Sequence, residues 1–250
     1  MIYSETAYNE YVMTDVILTV VKQGAENLNI TLPPGAGAAL TAYYDFLTEN
    51  SRKFNLTAIT GAEEVANLHF LDSIALLCAA DYKSKKVLDV GSGAGFPGIP
   101  LKIAEPSIDL TLLEATGKKV TFLSKLCEHL ALKAECVNAR AEEAAHLTDF
   151  RSKYDIVVSR ALAKLNILSE LCLPFVKTGG MFIAMKSIDS DDEIDEAMNG
   201  LLTLGATFER NYDYIIPKTD ITRRAVVIKK DSITPEKYPR RFAKIQKAPL

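Results

Sequence analysis

The sequence predicts an α/β fold: a mainly parallel, doubly wound sheet of seven strands that ends in an antiparallel hairpin and follows an N-terminal helical cap. Three observations carry that prediction. Val87-Leu-Asp-Val90 is a short apolar run suited to a strand buried on both faces, and glycines at 91, 93 and 95 and then Pro97 turn it into a helix. From Lys86 onward, further short apolar runs alternate with stretches of helical period. The last two such runs have no helix between them, so they must pair antiparallel at the sheet edge.

Taken in order, Val12, Val16 and Val20 trace one face of a helix over Tyr11–Leu28, and Pro33-Pro34 breaks it. Leu40, Tyr43, Tyr44 and Leu47 give a second helix over Ala36–Glu49, and the polar stretch Asn50–Ile59 reads as a loop. A third helix spans Ala62–Cys78 and carries His69, Asp72 and Ser73. No flexible linker follows, so residues 1–80 form a cap packed on a domain of residues 81–250. In that domain Val87–Val90 is the first strand, and Pro97 opens the next helix, where its missing N–H costs nothing. Leu110–Glu114 is the second strand; the helix Lys118–Leu130 buries Val120, Leu123, Leu126, Cys127 and Leu130. Ala134–Asn138 and Tyr154–Ser159 are strands three and four. A helix over Asn166–Val176 precedes strand five, Gly179–Lys186, and an acidic helix spans Asp191–Leu204. Phe208–Ile216 and Arg224–Lys230 are the hairpin, and the whole resembles the plan of the Rossmann-like class I methyltransferases.

A chain of 250 residues that is 48% hydrophobic can bury a full core. Its first residues, Met1-Ile-Tyr-Ser-Glu-Thr6, lack a basic leader, and no apolar run approaches a membrane span, so a cytoplasmic protein with no membrane partner is expected. Cys78, Cys127, Cys136 and Cys172 are widely spaced and read as reduced core thiols. With His69, His129 and His146 equally dispersed, no metal is expected. Net charge is −3, yet residues 218–250 hold ten Lys/Arg against three acids, a local +7 that leaves −10 for the remainder. That basic end is either a polyanion dock or a solvated tail.

In an open α/β sheet the ligand lies beyond the carboxyl ends of the strands. That nominates Gly91, Gly93 and Phe96 in the first turn, Glu114, Ala141 and Glu142, and Arg160. A dinucleotide fingerprint spaces its glycines G-x-G-x-x-G; here the third comes one residue early. Asp89, two places before the first glycine, would repel a pyrophosphate but suit a ligand bearing sulfonium and ammonium groups, which favours S-adenosyl-L-methionine over NAD. Glu114, taken with Asp89 and the glycines, is read as an acceptor for ribose hydroxyls. Glu142 suits either an adenine contact or the dipole of its own helix. Arg160, ending an apolar central strand, needs a carboxylate or phosphate partner and reads as a site residue. Phe96 suits a stacking role or a place in the core equally. Strand four is followed by Ser159-Arg-Ala-Leu162, not the Asp/Asn-Pro-Pro-aromatic loop of exocyclic-amine methylases, and Cys172-Leu-Pro174 lacks the Cys-Pro pair of cytosine-C5 enzymes. Acceptors that need no general base remain, guanine N7 among them.

At this point a family comes into view. Asn55-Leu-Thr-Ala-Ile59, His69-Phe-Leu-Asp-Ser73, Asp89-Val-Gly-Ser-Gly-Ala-Gly-Phe-Pro-Gly98, Arg140-Ala-Glu-Glu143, Ser159-Arg-Ala161 and Tyr238-Pro-Arg-Arg241 occur in that order. From about Tyr43 onward the chain resembles the RsmG (GidB) enzymes, which methylate N7 of guanine 527 (rRNA numbering) in 16S ribosomal RNA of the small subunit. The resemblance implies cofactor contacts at Gly91, Phe96, Ala141, Glu142 and Arg160. It also implies that Asn55, His69, Asp72 and Lys186 lie near the substrate mouth, although His69 alone would read as structural. Arg223, Arg224, Arg240 and Arg241 are expected to hold phosphates. Arg160 and Lys186 are candidate positioning residues, and no catalytic base is nominated. Two departures fall in the cap: Glu49 stands where the family often has Trp, and Leu68 where a basic residue often precedes the histidine. A monomer acting on the RNA or on a small-subunit particle is expected. Three competing readings are a methyltransferase for a different RNA, a protein or a small molecule, an NAD oxidoreductase, and an RNA-binding module without turnover.

Overall fold

The computed structural model describes residues 5–54, 56–57, 59–160 and 163–250, with side chains described from Val16 onward except at 52–54. Asn55, Ala58, Ala161 and Leu162 therefore lie outside the described residues, as does the side chain of Val12. The cap begins with α1 (Glu5–Asn27) and α2 (Ala36–Phe54). A third helical stretch runs without a break through α3 (Ala62–Val65), a π-helical turn (Ala66–Leu71), α4 (Asp72–Ile74) and a 3₁₀ turn (Ala75–Cys78). Helix α1 ends where Asn29 takes a left-handed φ of 57° and the Ile30 amide reaches back to the Ala25 carbonyl at 2.8 Å, a Schellman-type stop.

Leu56, Thr57 and Ile59 lie in the expected loop, but residues 50–54 are instead the last turn of α2. No Gly or Pro interrupts it, and its polar side chains bond inward: Asn50 Nδ2 donates to the Phe46 carbonyl at 2.8 Å and Ser51 Oγ to that of Thr48 at 3.2 Å.

The sheet comprises β1 (Lys86–Val90), β2 (Asp109–Glu114), β3 (Ala134–Asn138), β4 (Tyr154–Arg160), β5 (Val176–Ser187), β6 (Ala206–Ile215) and β7 (Thr222–Lys230), in the order β3-β2-β1-β4-β5-β7-β6. The first five are parallel; β7 runs antiparallel between β5 and the edge strand β6, as the missing helix required. The connecting helices are α5 (Gly98–Ala104), α6 (Gly117–His129), α7 (Ala141–Ala144), α8 (Leu165–Cys172) and α9 (Asp191–Thr203), and α10 (Phe242–Lys247) follows the hairpin. Pro97 sits at the N-cap of α5, one residue ahead of its predicted place in the first turn.

Strand residues alternate between two cores. Val87, Leu110, Ile156, Ile183 and Val227 pack with the cap helices, α5 and α6, whereas Leu88, Leu113, Val157, Phe182 and Val226 pack with α8 and α9. All four cysteines are free; Cys127 and Cys172 are buried as expected, but Cys78, at the end of the cap's last turn, is exposed, which corrects its reading as a core thiol. Among the described residues no helix is long and apolar enough to cross a membrane.

Candidate functional site

Two cavities open beyond the carboxyl ends of the parallel strands. The smaller, of 160 Å³, is lined by Gly91 after β1, Leu113 and Glu114 of β2, Ala139–Glu142 after β3, Leu171 of α8 and Phe242 of α10. The larger, of 460 Å³, is lined by Ile59, His69 and Asp72 of the cap, Arg160 of β4, Met185 and Lys186 of β5, Glu193, Tyr214 and Arg223.

Gly91, the first residue of the glycine turn, lines the smaller one. Gly93 has φ +57°, and a Cβ there would face open space, its nearest neighbour being the Gly91 carbonyl at 3.8 Å. Glu114 sits beside it: Oε2 accepts the Gly93 amide at 3.1 Å and Oε1 the Thr116 amide at 2.8 Å. These residues fit S-adenosyl-L-methionine. The turn leaves room for close approach, Glu114 has further lone pairs for hydroxyl donors, and Leu113, Ala141, Leu171 and Phe242 make an apolar slot suited to a purine.

Asp89 takes a different place from the one expected. It is fully buried behind the turn; Oδ2 accepts the Gly98 amide at 2.9 Å, while Oδ1 has no hydrogen-bond partner. Burial pushes this carboxyl up to about 7, against the lowering influence of the Gly98 amide and Arg160. A carboxyl whose folded pKa lies above its unfolded value binds its proton more tightly in the native state, so it favours folding at low pH and loses that contribution as pH rises from about 4 to 7. Asp89→Asn removes this dependence. Measured by urea unfolding, the variant is expected to gain roughly 2–3 kcal/mol on wild type between pH 5 and pH 8; a pH-independent difference would refute the buried-carboxyl account.

Phe96 is a core residue, 5% exposed, not a ring open to a base. It stacks on Tyr43 of α2 at 5.2 Å between centroids and meets His69 at 4.6 Å, while the Arg160 guanidinium lies over its ring at 4.8 Å. Tyr43, which sequence reasoning placed only in the core, also ties the cap to the turn: its hydroxyl donates to the Ala94 carbonyl at 2.5 Å.

Arg160 does not line the smaller cavity; it forms a wall of the larger one. Its Nη1 donates to Asp72 Oδ2 at 3.4 Å and to the Leu68 carbonyl at 3.3 Å. Asp72 is 4% exposed and also accepts the Tyr214 hydroxyl at 2.7 Å, and burial raises its carboxyl in spite of Arg160. His69 is presented by the π-helical turn, a local irregularity common at functional sites. Its Nδ1 donates to the Leu68 carbonyl at 3.0 Å and Nε2 accepts from Thr57 Oγ1 at 2.9 Å. Burial and the nearby Arg160 lower it to about 4, so the imidazole is neutral at physiological pH. Lys186 donates to Glu193 Oε2 and to the Ala163 carbonyl, both at 2.6 Å.

The four expected phosphate-binding arginines divide. Arg224 is 7% exposed and bound to Asp213 at 2.7 and 2.9 Å and to Asp191 at 2.6 Å. Arg240 is bound to fully buried Glu170 at 2.8 and 2.5 Å. Both guanidinium groups are thus engaged by carboxylates of the chain itself. Arg223 lines the larger cavity, and exposed Arg241 lines a neighbouring surface cleft with Arg140 and His146. Asn55 lies outside the described residues. Leu171, Phe242 and Tyr214 were not nominated from the sequence, because an apolar wall or a core hydroxyl has no motif to announce it.

The family model described as GidB, rRNA small subunit methyltransferase G, matches residues 37–212. The ribosomal RNA small subunit methyltransferase G of Alkaliphilus oremlandii is 43% identical over 233 residues, 92% of this chain and 98% of its own. Its counterpart from Caldanaerobacter subterraneus subsp. tengcongensis is 45% identical over 235 residues, 93% of this chain and 98% of its own. A solved SAM dependent methyltransferase from Aquifex aeolicus shares the fold, with TM-score 0.51 and 16% identity over 72% of this chain and 97% of that one.

Proposed function

Because the chain belongs to the GidB family, rRNA small subunit methyltransferase G, we propose that it transfers a methyl group from S-adenosyl-L-methionine to N7 of guanine 527 (rRNA numbering) in 16S ribosomal RNA. The observation that carries this reading is the pair of cavities beyond the carboxyl ends of the strands: a slot at Gly91 suited to a nucleoside, and a cation-lined mouth whose Arg160 lies over Phe96 of the same turn. When bound, the cofactor supplies a methyl whose bond to sulfur breaks as the N7 lone pair forms the new bond; positive charge passes to the purine and no proton leaves.

The residues present suit a reaction without a base. His69 is neutral and hydrogen-bonded through both ring nitrogens, Asp72 is held by Arg160 and Tyr214, and Lys186 is paired with Glu193. Their work is orientation and exclusion of water. Glu114 is the ribose acceptor, with Gly91, Gly93, Ala141 and Glu142 around it, and Asp89 supports the turn from behind. Arg160 fixes the wall against which the acceptor base enters. Residues 1–80 act as a cap closing one side of that mouth, and 81–250 as the transferase body. Arg223 and Arg241 take RNA phosphates, with Asn55, His69, Asp72 and Lys186 near the mouth. The enzyme works as a cytoplasmic monomer.

Mass mapping of 16S RNA from cells with and without the protein is expected to show one methyl on guanine 527 that depends on it. An unchanged map would overturn the reaction. In RNA titrations, Arg223→Ala and Arg241→Ala are each expected to lower the slope of log affinity against log salt by about 1 and to leave cofactor affinity unchanged. An unaltered slope would remove that arginine from the phosphate set.

A further inference from the structure

We propose that Tyr238-Pro-Arg-Arg241 is a clasp that positions Phe242 as a wall of the cofactor's adenosine cavity, with Glu170–Arg240 as its positioning pair. The inference rests on reading the 160 Å³ cavity as the adenosine site.

The geometry is built from both ends. Glu170 is completely buried on α8, and Arg240 meets it with three donors: its backbone amide and Nε on Oε1, each at 2.8 Å, and Nη2 on Oε2 at 2.5 Å. The residue after Glu170 is Leu171, and two residues after Arg240 comes Phe242; both line the cavity. One ion pair therefore fixes two walls contributed by segments far apart in the chain. Arg151 tightens the same segment. Its guanidinium donates to the carbonyls of Thr234 at 2.8 Å, Pro235 at 3.1 Å and Tyr238 at 2.9 Å, and to that of Ala145 beside α7 at 3.0 Å. His146 Nε2 donates to the Pro239 carbonyl at 2.9 Å. Ala145 and His146 directly follow helix α7, whose first residue, Ala141, lines the cavity too. Glu170 neutralises Arg240 and leaves the exposed Arg241 facing outward; what the segment presents to the cavity is an aromatic ring suited to the face of a purine.

The test is calorimetric. Adenosine and S-adenosylhomocysteine are titrated into the full chain, into Phe242→Ala, into Glu170→Gln with Arg240→Met, and into all three changes combined. Glu170→Gln with Arg240→Met leaves no buried charge unpaired and so keeps the fold; thermal unfolding checks this. Phe242→Ala is expected to weaken both ligands by the same factor, about tenfold, because both lose one base contact, and Phe242→Tyr restores them. Neutralising the pair is expected to cost a similar factor, and the combined variant no more than either alone, since the pair acts through Phe242. Undiminished binding by Phe242→Ala, or losses that multiply in the combined variant, would overturn the inference while leaving the adenosine site standing. Failure of the unaltered chain to bind either ligand would overturn both.

Discussion

Gly95→Ala is expected to cost roughly 2–5 kcal/mol of stability, from a left-handed residue strained by about 1–2 kcal/mol and overpacking of about 1–3 kcal/mol. Gly95 has φ +103°, and its Cβ would lie 2.6 Å from both Ile99 Cδ1 and Tyr43 Oη. Neither can retreat easily, because Ile99 and Tyr43 are wholly buried and the Tyr43 hydroxyl is committed to Ala94. Gly93→Ala is the contrasting variant. It carries the same kind of backbone strain, about 1–2 kcal/mol, without a clash, since its Cβ points into open space. It should therefore fold, yet lose S-adenosylmethionine affinity by about a hundredfold because that space is where the ligand must approach the backbone. Urea unfolding and calorimetry on the two variants separate the roles. Wild-type affinity in Gly93→Ala would move the cofactor elsewhere, and wild-type stability in Gly95→Ala would mean that the turn yields more readily than its packing indicates.

The fold was largely legible because its signals are local. Glycines at alternate positions after an apolar strand, and two strands with no helix between them, each constrain topology within about twenty residues, and both reappear in the β1 corner and the β6–β7 hairpin. The end of α2 was misread for the opposite reason. Asn50 and Ser51 look like loop residues, but their side chains bond to the preceding turn and leave the helix intact.

Charge was the poorest guide. Ten basic residues in the last 33 suggest a polyanion dock, and composition cannot reveal which of them meet carboxylates. Arg240 finds Glu170 seventy residues earlier, Arg224 finds Asp191 and Asp213, and Lys230 is buried against the Leu204 carbonyl and Thr234. Arg224 and Asp213 face each other in the β6–β7 register, but the pairings with Glu170, Asp191 and Leu204 are tertiary, and no periodicity encodes them. The same limit applied to Arg160. Its need for a carboxylate partner followed from its place at the end of a central strand, but the identity of that partner, Asp72 on the cap, required the fold.

That cap–sheet pair sets the second large effect. Arg160→Met strands the Asp72 carboxylate, whose side chain is 6% exposed, with the Tyr214 hydroxyl as its remaining side-chain partner. Breaking a buried pair from one side costs about 3–5 kcal/mol, which in a chain of this size lowers Tm by roughly 6–20 °C. Adding Asp72→Asn removes the stranded charge, so the double variant is expected to recover most of that stability. It should not recover methyl transfer, because the guanidinium over Phe96 that walls the larger cavity is still missing. His69 supplies an independent readout. With the Arg160 charge gone its pKa should rise from about 4 toward the ordinary imidazole value, stopping short because burial, the larger cause, persists. Titration of the His69 ring signals by NMR follows this directly. Were the double variant to regain both stability and turnover, Arg160 would be only the counter-ion that Asp72 requires. Recovered stability with turnover still absent, while Asp72→Asn alone retains turnover, assigns the guanidinium to the reaction itself.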